Sequence, residues 1–219
     1  MAVDAQAEGR LRQALVEQYQ YVESIGLNEL ASGNLSCRFG DGMLISPAGA
    51  TSANISADAI VLVSRHGSWN ESQQPSNEWP MHAAIYASVA SANALVHTHS
   101  DYCVALACQR RELPGFHYLV GTFGGTNVPC IPYSTFGSSQ LAEDAALALM
   151  SRTACLLGSH GMIARGSDLV EAVTLAHRLE ILCRQYLLAC QLGEPALLTA
   201  SEWQDFFERA GALGYGRRL

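Results

Sequence analysis

The segment that most constrains this chain is Ala94-Leu95-Val96-His97-Thr98-His99-Ser100. Its apolar opening favours a strand, and it closes on two histidines one residue apart. Successive side chains on a strand point to opposite faces, so His97 and His99 share one face and Thr98 takes the other. Two imidazoles on one face can bind a single metal ion, and imidazole suits zinc. Two ligands do not make a site, so a third has to come from elsewhere. Ser159-His160-Gly161 offers His160, which follows the apolar run Ala154-Cys155-Leu156-Leu157 and precedes a glycine turn. Glu78, upstream, reads either as a fourth ligand or as a base beside the metal. The plainer alternative is three unrelated structural histidines.

The 219 residues suffice for one domain, residues 1–219, with a substantial core. Hydrophobic residues make up 49% and charged residues 15%, which argues against disorder. With a formal net charge of −7 and no basic patch, nucleic acid is not an expected partner. A phosphorylated substrate remains compatible, because backbone N–H groups and a metal bind phosphate without net positive charge. The seven cysteines form no CxxC and read as reduced thiols of a cytoplasmic protein. No basic segment followed by an apolar core opens the chain, and no run approaches a membrane span.

Along the chain, Leu11, Leu15, Tyr19 and Val22 predict an amphipathic helix from about Asp4 to Ile25, stopped at Gly26. Ala31 to Ser36 reads as a small polar loop leading into a strand at Cys37-Arg38-Phe39. Gly40-Asp41-Gly42 signals a hairpin and Met43-Leu44-Ile45 the returning strand. Ser46-Pro47-Ala48-Gly49 is a second tight loop, and Ala59 to Ser64 a further strand. Ser76 or Asn77 is the expected N-cap of a helix reaching about Ala90, with His82 on the Glu78 face either a structural residue or a support behind the ligands. A helix from Ser100 or Asp101 to Gln109 follows the His97/His99 strand. Gly121 to Gly125 lacks GxGxxG spacing and is not read as a nucleotide site. Val128 to Tyr133, broken by Pro129 and Pro132, is expected at a sheet edge. A helix from Ser138 or Ser139 to Ser151, strands around Ser159-His160-Gly161, the longest helix from about Ser167 to Gln191, and a short helix over 201–210 complete the reading. The irregular mixture predicts one sheet covered by helices.

Ser32-Gly33-Asn34-Leu35-Ser36, Ser46-Pro47-Ala48-Gly49, Pro75-Ser76-Asn77-Glu78-Trp79, and His97-Thr98-His99 with His160-Gly161 stand in an order and spacing that resemble the class II aldolase/adducin family, within it most of all the L-fuculose-1-phosphate aldolases. The likeness covers nearly the whole chain, including Asp41 to Pro47, His117-Tyr118, Thr135-Phe136-Gly137, Ala176-His177 and Tyr215-Gly216. It implies an α/β, three-layer αβα fold whose central, mostly antiparallel sheet is covered by helices, assembled as a fourfold homotetramer. It implies that His97, His99, His160 and Glu78 bind one divalent metal per subunit, usually zinc, with Glu78 doubling as acid/base. It implies a phosphate cradle of Gly33, Asn34, Ala48, Gly49, Ser76 and Asn77. Tyr118 would be a proton donor reaching in from a neighbouring subunit, and Tyr215 part of a tail over the aldehyde.

The implied reaction cleaves a ketose 1-phosphate, L-fuculose 1-phosphate or a 5-deoxy- or methylthio-ribulose 1-phosphate, to dihydroxyacetone phosphate and a small aldehyde through a metal-stabilised enediolate. A 3-oxo-tetronate 4-phosphate decarboxylase and a pentulose-phosphate 4-epimerase reuse the same metal set, and a non-catalytic adducin-like binding module is the alternative of another class. Two positions depart from the family pattern. Ala48 stands where relatives carry Thr, and Asn77 where they carry a second Ser. One hydroxyl donor is lost and another becomes an amide, which still donates. Glu78 favours the aldolases, because the related epimerases carry Asp there.

Overall fold

The computed structural model describes residues 5–213. The amphipathic opening forms α1 (Ala5–Ser24), which buries Leu15, Val16, Tyr19 and Val22 and is followed by Gly26 in the left-handed conformation, φ 74°. β1 (Asn34–Phe39) and β2 (Gly42–Ile45) are joined across Gly40-Asp41, with Phe39 opposite Gly42. A short 3-10 turn, Ala57–Ala59, leads into β3 (Val61–Val63). Then come α2 (Trp79–Ser88), β4 (Ala94–Thr98), α3 (Asp101–Cys108) and a 3-10 segment, Tyr118–Phe123. β5 (Cys130–Ile131), α4 (Ser139–Ser151), β6 (Ala154–Leu157), β7 (Gly161–Gly166), α5 (Leu169–Cys190) and α6 (Ala200–Ala212) finish the described chain. No described helix is long and apolar enough to cross a membrane.

The strands form one sheet in the order β3-β2-β1-β4-β7-β6-β5, antiparallel at every junction except β5 with β6. β4 lies at the centre and is buried along its whole length. Its alternation divides the molecule into layers. Ala94 and Val96 point into a core shared with Leu15 and Tyr19 of α1, Leu106 of α3 and Leu179 of α5. Leu95 points the other way, into a core with Ile85 of α2 and Leu141 and Leu149 of α4. The result is three-layer αβα. Each large apolar side chain taken out of water here contributes about 1.5–3 kcal/mol. His97 lies on the α2/α4 face with Leu95, so the central strand holds its imidazole fully buried in the middle of the sheet.

Some boundaries differ from the sequence reading for identifiable reasons. β1 begins at Asn34, where a polar loop was expected through Ser36; Asn34 and Ser36 are buried opposite His97 and Leu95, and their polar groups bond to α2 rather than to water. The expected strand from Ala59 starts two residues later, after the 3-10 turn. The Val128–Tyr133 strand shrinks to Cys130–Ile131, because Pro129 and Pro132 on either side have no N–H to give a ladder; it does lie at the sheet's edge. The N-cap of α2 is Glu78, not Ser76 or Asn77.

Candidate metal centre

Three of the four candidate ligands, Glu78, His97 and His160, are placed by different local devices. Glu78 is the residue before α2, and its side chain makes no capping bond. Ser76 replaces it in that task, accepting the Glu78 N–H on Oγ and the Trp79 N–H on its carbonyl. The carboxylate is thereby free to turn toward the sheet. His97 is set by β7, where the Met162 carbonyl accepts from His97 Nδ1 at 2.7 Å, which turns Nε2 into the site. His160 sits in the three-residue β6–β7 connection, after Ser159 in the left-handed conformation, φ 55°. Glycines let the backbone close around the end of β4 from both sides. A Cβ at Gly33 would stand 2.6 Å from the His97 carbonyl oxygen, and one at Gly161 would stand 2.4 Å from that of Thr98.

The four side chains converge. The three imidazole centroids form a near-equal triangle, 4.7 to 4.9 Å on a side. His97 Nε2 lies 2.9 Å from His99 Nε2 and 2.9 Å from Glu78 Oε2, and His160 Nε2 lies 3.3 Å from Glu78 Oε1. All four ligand atoms lie within 4.8 Å of one another. Donors bound to a small tetrahedral ion at 2.0–2.1 Å stand about 3.3 Å apart, so the spacing fits such an ion.

The chemistry of the donors fits as well. Burial, then the neighbouring His97 and His160, push His99 down to about 4; burial and His97 push His160 down to about 4. Both rings are therefore neutral at physiological pH, with lone pairs to give. Burial alone raises the Glu78 carboxyl, but the facing His97 outweighs it, helped by His160 and the Asn34 amide, and holds the group well below the usual carboxylate range. Glu78 Oε1 is nonetheless a buried oxygen with no hydrogen-bond partner among the described residues. An unpaired buried carboxylate oxygen is costly unless a cation serves it.

The centre opens into a cavity of about 380 Å³ lined by Gly33, Asn34, Ala48, Gly49, Ser76, Asn77, Glu78, His99 and His160. Every residue expected in the phosphate cradle thus faces one space. Tyr19 braces its two loops, donating its hydroxyl to the Ala50 carbonyl while accepting from Asn28, which in turn accepts the Gly33 N–H. Two expected donors are engaged within the protein. The Gly33 N–H goes to Asn28, and the Ala48 N–H goes to the Gln74 carbonyl. The Asn34 amide donates to Glu78 Oε2 at 3.1 Å. Ser76 keeps its hydroxyl proton to donate, since its oxygen accepts from Glu78 N–H. No Lys or Arg lines the cavity among the described residues.

Tyr133, Ser134, Phe136 and Ser159 also line the cavity and were not singled out as site residues from the sequence, although Phe136 lay within a segment of the family likeness. Tyr118 lies elsewhere, half exposed on the 3-10 segment, stacked on His117 and in contact with Phe206 of α6. It does not line the cavity of its own chain. Tyr215 lies outside the described residues. His82 is fully buried on α2, where burial and the nearby His97 push it down to about 3, so it is neutral and no ligand.

Residues 13–187 match the class II aldolase and adducin N-terminal domain. A 5-methylthioribulose-1-phosphate/5-deoxyribulose-1-phosphate aldolase of Rhodospirillum rubrum is 39% identical over 209 residues, 95% of each chain. An L-fuculose phosphate aldolase of Escherichia coli is 38% identical over 193 residues, 88% of this chain and 90% of that one. Among solved structures, an L-fuculose 1-phosphate aldolase superposes with a TM-score of 0.87 at 31% identity, covering 92% of this chain and 96% of that chain. With the sheet order, the three histidines and the facing glutamate already in place, this match over most of the length assigns the chain to the class II aldolase/adducin family.

Proposed function

We propose that this protein is a zinc-dependent aldolase that reversibly cleaves a ketose 1-phosphate, L-fuculose 1-phosphate or a 5-deoxy- or methylthio-ribulose 1-phosphate, to dihydroxyacetone phosphate and a small aldehyde. The observation that carries the reading is the buried Glu78 oxygen without a hydrogen bond, set among His97, His99 and His160 at the wall of a cavity lined by the expected phosphate loops. Zinc, when bound by His97, His99, His160 and Glu78, supplies a Lewis acid for the enediolate charge that carbon–carbon cleavage leaves on the three-carbon phosphate.

The protein's own groups do the rest. The Ser76 hydroxyl and Asn77, with the Gly49 turn, fix the phosphate at the cavity mouth. That grip orients the ketose so that its carbonyl end reaches the histidines. Glu78, the buried carboxylate beside the three histidines, exchanges the proton at the carbon beside the carbonyl. Ala48 adds no hydroxyl to the phosphate loop, and Asn77 substitutes an amide donor for one. Tyr118, half exposed and outside the lining of its own cavity, acts on the neighbouring subunit's aldehyde oxygen in a cytoplasmic homotetramer, and Tyr215 belongs to the segment covering that aldehyde. The whole chain, residues 1–219, is one functional domain.

The test is dihydroxyacetone phosphate release from a panel of ketose 1-phosphates, with zinc, with chelator, and with Glu78→Ala. Chelator-sensitive release that the variant loses supports the reading, and the best substrate names the aldehyde. A zinc-loaded protein that releases none, but forms carbon dioxide or an isomer from a tetronate or pentulose phosphate, replaces it.

A further inference from the structure

Behind the metal centre runs a hydrogen-bonded chain that no step above uses. Asn34 Nδ2 meets Glu78 Oε2 at 3.1 Å. Asn34 Oδ1 meets His82 Nε2 at 2.6 Å, His82 Nδ1 meets Ser36 Oγ at 2.7 Å, and Ser36 Oγ meets the Tyr86 hydroxyl at 2.8 Å. All five residues are buried. The far end is anchored too: the Arg38 guanidinium lies 4.9 Å from the Tyr86 ring centroid and donates to the Tyr86 backbone carbonyl.

The carboxylate fixes the direction of every bond. An ionised Glu78 only accepts, so Asn34 must turn its NH₂ toward it and its carbonyl toward His82. His82 must then donate from Nε2, which leaves Nδ1 as an acceptor. Ser36 must give its proton to Nδ1, and Tyr86 must give its own to Ser36. Read in the other direction, the chain is a lock. Asn34 faces His97 across the β1–β4 pair, and its amide is nearly symmetric in shape. Nothing about its size decides which end meets the carboxylate. The flipped amide is disfavoured at both ends: it would turn its C=O to the Glu78 carboxylate and its NH₂ to the protonated Nε2 of His82, so His82 is the second of two groups that hold the orientation.

We propose that His82 is a positioning residue for Glu78: by holding the Asn34 amide in one orientation it supplies a donor to Oε2, fixes the plane of the carboxylate, and leaves Oε1 to the metal. The role rests on the metal reading of the site. It assigns Asn34, expected from the family likeness to be a phosphate ligand, to the carboxylate through its side chain.

The experiment measures zinc affinity, by competition with a chromogenic chelator, for the wild type, His82→Leu and His82→Gln, with thermal melts confirming the fold. Leucine removes both ring nitrogens; glutamine places an amide donor where Nε2 stood. Loss of such a supporting partner typically costs 10–100-fold, so His82→Leu is expected to bind zinc about 10–100-fold more weakly and His82→Gln within a few-fold of wild type. Histidine ¹⁵N resonances of the zinc-free wild type are expected to show His82 protonated on Nε2, a reading that needs no variant. Wild-type affinity in His82→Leu, equal loss in both variants, or a proton on Nδ1 overturns the positioning role while leaving the metal centre standing. A wild type that takes up no zinc removes the metal reading and the positioning role together.

Discussion

Glu78 is a buried carboxylate kept ionised by the groups that face it. Glu78→Gln keeps the shape and one acceptor but loses the charge, and turnover is expected to fall by about 10²–10⁴. Steady-state rates with saturating zinc check this; a variant keeping more than a tenth of the activity removes Glu78 from proton transfer. The histidines predict an acid sensitivity. Folded-state values of about 4 for His99 and His160 and about 3 for His82 lie below the ordinary 6.5. As pH falls from 6.5 toward 4, the unfolded chain takes up protons there that the native chain refuses, so stability is full above 6.5 and is lost on the way down. Glu78, also held low when folded, adds to the loss below about 4.5. The Tm of zinc-free protein is expected to drop steadily from pH 6.5 to 4, and a flat profile would show that the rings are not desolvated. His97 and His99 were legible in the sequence because strand alternation alone puts them on one face. Asn34 was expected at the site, but not its contact with Glu78, because its amide meets the carboxylate only once β1 pairs with β4 and places it opposite His97.

At the scale of elements, the site depends on two strands meeting closer than side chains allow. A Cβ at Gly161 meets the Thr98 carbonyl at 2.4 Å and His99 Cδ2 at 3.0 Å. Gly161→Ala must push β7 from β4 next to two ligands. A cost of about 1–3 kcal/mol and a Tm lower by several degrees are expected, together with weaker zinc binding. A melt and a chelator competition on one sample check both, and an unchanged Tm would mean the strands part easily. Helix positions were legible from apolar spacing in α1 and α5, since their buried residues are those of one face. The β5 edge was legible in place but not in length, which two prolines shortened. The turn that carries His160 was legible only as a glycine signal. Its strained residue is Ser159, a type that rarely adopts positive φ, and no sequence pattern marks it.

For the whole molecule, the separation of Tyr118 from its own cavity makes a sharp expectation for the proposed fourfold assembly. Glu78→Gln and Tyr118→Phe chains, each impaired alone, place their defects at different sites when mixed. After co-refolding in equal amounts, about a quarter of the sites in a cyclic assembly combine an intact Glu78 with an intact Tyr118, so activity near a quarter of wild type is expected. A mixture no better than its parts would put Tyr118 in its own chain's chemistry or in none. Zinc at about 100 times its dissociation constant is expected to stabilise the fold by about 2.7 kcal/mol, read as a higher Tm that chelator reverses. The central place of β4 also sets a timetable. During synthesis Glu78, His97 and His99 all emerge before His160, the last of them, His99, by about sixty residues, which at 5–20 residues per second is an interval of about 3–12 s. Through that interval the Met162 carbonyl that turns His97 has not been made. On the proposed metal reading the growing chain thus carries three candidate ligands with no fixed aim, and the four-residue site is complete only once β7 pairs beside β4, late in the synthesis of the polypeptide.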